Sequence, residues 1–81
     1  MSQVRLFAAL RDAAGTGRLT SDAPDVPTLL DELRGRFGEP FTSRLEVATV
    51  IVDGEPVDRA ERRALSPASE VALLPPFSGG A

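Results

Sequence analysis

The clearest periodic pattern in the chain lies between residues 26 and 37. Apolar side chains recur there at positions i, i+3, i+4, i+7 and i+11, namely Val26, Leu29, Leu30, Leu33 and Phe37. This spacing predicts an amphipathic helix over Val26–Phe37. Asp25 is its candidate N-cap, Pro27 is tolerated in the first turn, and Gly38 is suited to the position after the helix.

Strand patterns occupy five other segments, namely Met1–Leu10, Arg18–Asp22, Val47–Val52, Glu55–Asp58 and Glu70–Leu74. The first alternates apolar and polar residues, whereas Val47–Val52 is apolar and β-branched, which predicts a central strand buried on both faces. Asp53-Gly54 predicts a type I′ turn, and Pro56 places the following short strand at a sheet edge.

The connections between these elements are short. Arg11–Gly15 predicts one helical turn closed by Gly15, and Glu39–Glu46 is expected to be irregular, with Phe41 and Leu45 plugging the core. The polar segment Asp58–Ser69 has Leu65 as its only large apolar anchor. The order β-β-α-β-β-β predicts an α+β chain with a β-grasp, or ubiquitin-like, fold, in which a mixed four- to five-stranded sheet packs on one main helix.

Composition narrows the chemistry that such a domain could perform. The chain contains neither cysteine nor histidine, which excludes thiol nucleophiles, disulfides and histidine-based acid–base or zinc chemistry. The twelve carboxylates are scattered through predicted turns, caps and the outer helix face, as expected of a solvated surface. We therefore expect no bound cofactor, no metal site and no catalytic side chain.

Charge and hydropathy restrict the classes of partner and the compartment that we expect. The net charge is −3 and the basic residues form no stripe, so nucleic-acid binding is not expected. No apolar run reaches the roughly 18 residues that a membrane helix needs. The N-terminal residues also lack the pattern of a secretory signal, so a cytoplasmic protein is the expectation.

All nine basic residues are arginine, and lysine is absent. GC-rich codon usage is one explanation. The other is that a protein with a reactive C-terminal carboxyl group carries no amine that could accept its own acyl group. The sequence alone does not separate these explanations.

The C-terminal segment Pro75-Pro76-Phe77-Ser78-Gly79-Gly80-Ala81 differs in composition from the rest. We expect residues 1–74 to form the β-grasp domain and residues 75–81 a flexible tail. The prolines favour an extended chain, and glycines without a Cβ could thread a narrow channel in a partner. The alternative is a frayed terminus without a role.

A second feature points to a partner surface. The alternation of the first strand turns Val4, Leu6 and Ala8 inward and Phe7 outward. First and last strands are neighbours in a β-grasp sheet, so Phe7 and Leu74 are expected to share the face away from the helix. Such an exposed aromatic–aliphatic patch favours docking, unless the Phe41 and Leu45 region or arginine stems cover it.

Together these residues resemble the MoaD/ThiS family of sulfur carriers, and most closely the small subunit of molybdopterin synthase. The resemblance covers essentially the whole chain. It is carried by the opening segment Val4–Arg11, the helix segment Val26–Leu33, the hairpin Val50–Gly54 and, most specifically, the end Glu70–Gly80, where a strand is followed by Pro-Pro, one residue, Ser and Gly-Gly.

The resemblance implies a reaction cycle at the terminal glycine. A ubiquitin-activating-type adenylyltransferase uses ATP to adenylate the carboxylate, and a persulfide sulfur displaces AMP to give a thiocarboxylate. That sulfur then passes to a pterin precursor inside the large molybdopterin synthase subunit. The chain is thus not an enzyme by itself but the sulfur-donating subunit of a heteromeric sulfurtransferase.

The same resemblance assigns roles to residues. Gly80 carries the thiocarboxylate, and Gly79, Ser78 and Phe77 thread the partner's channel. The partner-binding patch comprises Phe7, Leu65 and Leu74. Sulfur carriers for thiamin, a sulfur amino acid or a specialised metabolite, and ubiquitin-like protein modifiers, remain alternatives.

Two residues or segments depart from the family pattern. The turn before the last strand is Ser66-Pro67-Ala68-Ser69, where the family is rich in Asp and Gly. Ala81 follows the second glycine, at which family members usually end. Either a peptidase removes Ala81 before activation, or the activating enzyme accepts a terminal alanine, or the segment has no sulfur role.

Overall fold

The computed structural model describes residues 1–76, which form five strands and three helices. The strands are β1 (Ser2–Leu6), β2 (Arg18–Ser21), β3 (Thr49–Val52), β4 (Glu55–Val57) and β5 (Glu70–Leu74). The helices are α1 (Ala8–Ala14), α2 (Val26–Phe37) and α3 (Phe41–Glu46). The predicted bounds of α2 and of the last strand are confirmed.

The strands form one sheet in the order β2-β1-β5-β3-β4. The central pair, β1 and β5, is parallel, and the other pairs are antiparallel. One stripe of α2 is buried together with alternate residues of the strands in a single core. The mixed sheet on one main helix confirms the β-grasp prediction, and Leu65 packs against the core as predicted.

The first strand is shorter than its alternation predicts. β1 ends at Leu6, and Phe7 is the N-cap residue of α1, so the prediction of a strand through Leu10 was wrong. Ala8 is exposed at the start of the helix instead of facing inward. The segment from Ala8 to Ala14 is rich in good helix formers, which explains the outcome. Gly15, with a φ of 78°, closes the helix as predicted.

Two further predictions fail in the middle of the chain. Glu39–Glu46 is not irregular but contains α3, in which Phe41 and Leu45 lie on one face and are both fully buried. A helix of six residues is too short for periodicity to reveal. The next strand begins only at Thr49, and one of its faces is half-exposed, so burial on both faces was also wrong.

The caps and turns follow the sequence closely. Asp25 accepts a hydrogen bond from the Thr28 backbone N–H at 2.9 Å and thereby caps α2. Asp53 and Gly54 both have positive φ, at 51° and 84°, which agrees with the predicted type I′ turn. β4 lies at the sheet edge, as Pro56 indicates. Among residues 1–76, no helix is long and apolar enough to cross a membrane.

Candidate functional site

The two faces of the sheet differ in what covers them. Alternate strand residues are buried in the core beneath the helices, namely Val4, Leu6, Val50, Val52, Val71 and Leu73. The residues between them form the open face, where side chains are exposed or half-buried, namely Gln3, Arg5, Ile51, Glu70, Ala72 and Leu74. A partner can therefore reach the sheet from this second face.

The open face carries an apolar stripe, formed by Phe7, Ile51, Ala72 and Leu74. Leu6 is level with Leu73, and the Phe7 N–H donates to the Leu73 carbonyl at 3.3 Å, so Phe7 continues β1 beside Leu74. Ala72 is in turn level with Ile51. The expected adjacency of Phe7 and Leu74 is thus present, and neither is fully buried.

A shallow depression of about 450 Å³ lies over part of this stripe, lined in part by Phe7, Ile51 and Ala72. Arg5 stands at its rim, with its Cζ atom 5.6 Å from the centre of the Phe7 ring. That distance is typical of a cation–π contact. Phe7 therefore contributes a half-buried aromatic ring to the open face, with the positive charge of Arg5 beside it.

Asp53 at the rim has a structural task. Its carboxylate accepts the Glu70 backbone N–H at 2.9 Å, and its own N–H donates to the Glu70 carbonyl at 2.8 Å. This reciprocal pair fastens the β3–β4 turn to the start of β5. Asp53 therefore stabilises the sheet.

The chain leaves the sheet beside the apolar stripe. Pro75 and Pro76 line a groove of about 250 Å³, whose other lining residues are Phe7, Ala9, Leu10, Arg44 and Val47. We call this groove the tail exit. Phe7 lines both the groove and the depression, so apolar surface continues from the open face to the start of the tail. Val47 adds to it with 59% of its surface exposed.

Leu65 lies at the other end of the sheet from Phe7. Its N–H donates to the Pro24 carbonyl at 2.8 Å, and it lines a separate hollow with Met1 and Ser2. Of the predicted partner-binding residues, the structure brings together Phe7 and Leu74 but not Leu65. The predicted tail residues Phe77, Ser78, Gly79 and Gly80 lie outside the described residues, as does Ala81.

Val47 and Arg44 at the tail exit were missed by the sequence interpretation. Val47 was assigned to a buried strand because it opens a continuous apolar run. The one available signal was its position directly after the charged segment ending at Glu46. Arg44 became visible only once α3 was known to be a helix, since its exposed face then turns toward the tail exit.

Asp25, like Asp53, has a structural role. The hydrogen bonds that Asp25 accepts from Thr28 hold the pKa of its carboxyl below the ordinary value, and Arg62, 3.3 Å away, acts in the same direction. Among residues 1–76, no group of acidic side chains is arranged to hold a metal ion. The arrangement offers an apolar surface for binding, beside which Pro75 and Pro76 leave the sheet.

Comparison with known proteins agrees with this geometry. The model of the ThiS family matches residues 4–80, from the first strand through Gly80. The chain belongs to the ThiS family. No curated protein sequence matches it significantly.

Solved structures with the same fold include two forms of small archaeal modifier protein 1. The protein from Haloferax volcanii is 28% identical, with a TM-score of 0.73 and 98% of each chain covered. That from Methanosarcina acetivorans is 26% identical, with a TM-score of 0.80 and coverage of 98% and 95%. Molybdopterin-converting factor from Helicobacter pylori, solved as a complex of subunits 1 and 2, is 22% identical, with a TM-score of 0.73 and coverage of 98% and 97%.

Proposed function

We propose that this protein is a sulfur carrier in which the carboxyl group of Gly80 is converted to a thiocarboxylate. The carrying observation is that the family match extends from Val4 through Gly80, and so includes the Gly-Gly pair. The apolar stripe beside the tail exit supports the proposal, because a partner docked there receives the chain end directly. We propose the cytoplasm as the compartment of the reaction and ATP as the substrate that the activating partner uses.

The chemistry proceeds in balanced steps. A carboxylate oxygen of Gly80 attacks the α-phosphorus of ATP, so that pyrophosphate leaves and an acyl adenylate forms. A persulfide sulfur on a partner attacks the acyl carbon and AMP departs. A thiol then cleaves the S–S bond of the resulting acyl disulfide, which releases the thiocarboxylate and leaves the partner thiol oxidised to a disulfide. Catalytic side chains for these steps belong to the partners.

Activation at Gly80 requires a free carboxyl group on that residue. The proposal therefore includes a peptidase that hydrolyses the Gly80–Ala81 bond. Phe7 and Leu74 are proposed to contact both the adenylyltransferase and the sulfur-accepting enzyme. For Leu65, partner contact remains a prediction from the resemblance.

Molybdopterin synthesis is the proposed pathway, with the large synthase subunit as the sulfur-accepting partner. It is supported by the resemblance of the tail segment and by the fold shared with subunit 1 of the Helicobacter pylori complex. Complementation of a strain that lacks its own molybdopterin synthase small subunit tests this assignment. Failure despite confirmed expression would favour a carrier for thiamin, a sulfur amino acid or a specialised metabolite.

The sulfur chemistry itself is tested by intact mass spectrometry. A chain ending at Gly80 is incubated with an activating enzyme, ATP and a persulfide sulfur source, beside the 81-residue chain as the matched control. We expect the Gly80-ended chain to gain the mass difference between one sulfur and one oxygen atom, and the longer chain to remain unchanged. An unchanged mass for both chains would contradict the proposal.

A ubiquitin-like protein modifier is the second candidate function. It is favoured by the 28% and 26% identity to small archaeal modifier protein 1. This function predicts adducts of higher mass that resist thiol reductants, joined through isopeptide bonds to lysines of other proteins. Immunoblots of cell lysate against the chain test it, with a variant lacking residues 79–81 as the control.

A further inference from the structure

The tail exit is positively charged yet contains no side-chain amine. Arg44 lines the groove with Pro75 and Pro76, and Arg5 lies over the Phe7 ring that borders the same groove. An arginine guanidinium stays protonated under all ordinary conditions and is not a nucleophile. A lysine ammonium, in contrast, loses its proton readily enough to attack acyl groups.

The difference between lysine and arginine matters because the tail is short. From Pro76 to Gly80 the chain can span at most about 14 Å, because each residue contributes no more than about 3.6 Å. Side chains around the tail exit therefore lie within reach of the Gly80 carbonyl carbon. An amine in this groove would face the activated acyl group at high effective concentration.

The α-amino group of the 81-residue chain lies elsewhere. β1 and β5 are parallel, and Gln3 is level with Glu70. Met1 therefore lies some eight residues behind Pro76 along the sheet, or roughly 26 Å at about 3.3 Å per residue. This separation exceeds the reach of the tail, so the Met1 amine is not an intramolecular competitor.

We propose that Arg5 and Arg44 supply positive charge at the tail exit without offering an acyl acceptor, so that the activated chain is an acyl donor only. This inference rests on the proposed activation of Gly80. It adds that the acyl group of Gly80 is transferred only to nucleophiles that belong to a partner protein or its substrate. Because the whole chain lacks lysine, a second copy cannot accept the acyl group through a side-chain amine either.

The prevented reaction is ordinary acyl transfer. A neutral amine nitrogen attacks the Gly80 carbonyl carbon, a C–N bond forms, and the bond to the leaving group breaks with its electron pair. The nitrogen then loses a proton to solvent, which leaves an amide. Serine and threonine hydroxyls compete poorly, because they are weak nucleophiles without an adjacent base.

The test uses a chain that ends in a Gly80 thioester, prepared by thiol cleavage of a fusion protein. It therefore needs no activating enzyme, and its outcome is separate from that of the adenylation experiment. Three thioesters are compared at pH 8.5: the unchanged chain, Arg44→Lys, and Arg62→Lys. Arg62 is a matched control because its side chain is 76% exposed and pairs with Asp25, toward the Met1 end. Circular dichroism confirms that each variant is folded.

We expect the Arg44→Lys thioester to be consumed at least about ten times faster than the unchanged one, because the new amine reacts intramolecularly. Its product is an internal amide, lighter by one water molecule than the hydrolysed acid. The unchanged chain and Arg62→Lys should give the hydrolysed acid. Hydrolysis alone for Arg44→Lys, or internal or intermolecular amide formation by the unchanged chain, would overturn the proposal.

Discussion

The two ends of the sheet are built in different ways. At the Met1 end, buried hydroxyl groups and backbone bonds close the structure: the Ser2 Oγ donates to the Ser66 carbonyl at 2.9 Å, and the Ser69 Oγ accepts the Ser66 N–H at 2.9 Å. At the opposite end, Phe7 and Val47 in the tail exit and Leu74 on the open face leave apolar surface exposed or half-buried. Met1 itself is 62% exposed, so the two ends differ in the hydrogen-bonded hydroxyl groups of the first and in the continuous apolar surface of the second.

The largest expected effect comes from removing the aromatic ring at the tail exit. Phe7→Ser should raise the KM of the activating enzyme for this chain about 100-fold, because a central aromatic anchor contributes about 2–4 kcal/mol to an interface. Steady-state pyrophosphate release measures KM. The free energy of unfolding should fall by about 1–2 kcal/mol, since the ring is half-buried. An unchanged KM would remove Phe7 from the partner surface.

Leu65 provides the contrasting substitution at the other end. Leu65→Ala should lower the free energy of unfolding by about 1–2 kcal/mol, because a half-buried leucine loses part of its packing. Urea unfolding measures this change. We expect KM for activation to stay within about twofold, since Leu65 lies away from the tail exit. A rise comparable to that of Phe7→Ser would show that a partner contacts both ends of the sheet, as the resemblance implies.

Ser69 tests whether buried hydroxyl groups close the Met1 end. Ser69→Ala leaves the Ser66 N–H without its acceptor, so unfolding should become easier by about 1–2 kcal/mol. Ser43→Ala, an exposed position in α3, is the matched control and should change stability by less than about 0.5 kcal/mol. Equal unfolding midpoints for the two variants would mean that the Ser66–Ser69 contact carries little energy.

A smaller effect is expected from the charge beside Phe7. Arg5→Gln removes the cation–π contact and should raise KM for activation by about two- to fivefold, in line with about 0.5–1 kcal/mol for an exposed contact. A Gln variant as active as the unchanged chain would show that the aromatic ring alone makes the contact.

The smallest expected effect concerns acid. The folded chain holds the pKa of Asp25 below its ordinary value, so the ionised cap stabilises the fold at neutral pH. That stabilisation is complete above the unfolded pKa, near pH 4, and is lost as pH falls through the folded pKa. Asp25→Asn should flatten this part of the stability–pH curve in urea titrations. Identical slopes below about pH 4 would exclude a role for the cap.

The elements that could be predicted from the sequence are those with a local residue pattern long enough to distinguish a helix, a strand or a turn. The apolar stripe of α2 spans three turns, and capping residues flank the helix at both ends. Asp53-Gly54 is compatible with few conformations other than the type I′ turn that it forms. β1 was overextended because an alternating pattern can continue by chance into an alanine-rich helix. α3 was missed because its two buried residues, Phe41 and Leu45, fit a plugging loop as well as a single helical face.

The candidate site was predictable only in part for a related reason. Leu74 ends β5 and Phe7 directly follows β1, and the pairing of these two strands follows from the fold class, so the adjacency of the two residues could be inferred. Arg44 and Val47 line the tail exit because α3 packs beside α1, and no local sequence pattern encodes that packing. The position of Leu65 depends on the conformation of the long loop before β5. Turn residues determine that conformation, and the loop has no periodic apolar pattern from which it could be predicted.

If Gly80 carries sulfur, the mass of the protein isolated from the cells that make it should show the modification. The purification omits thiol reductants and is repeated after mild alkylation, which labels a thiocarboxylate but not a carboxylate. We expect a chain ending at Gly80, with one oxygen replaced by sulfur and one alkyl group added on labelling. A population that consists only of chains retaining Ala81, with no labelled species, would contradict this expectation.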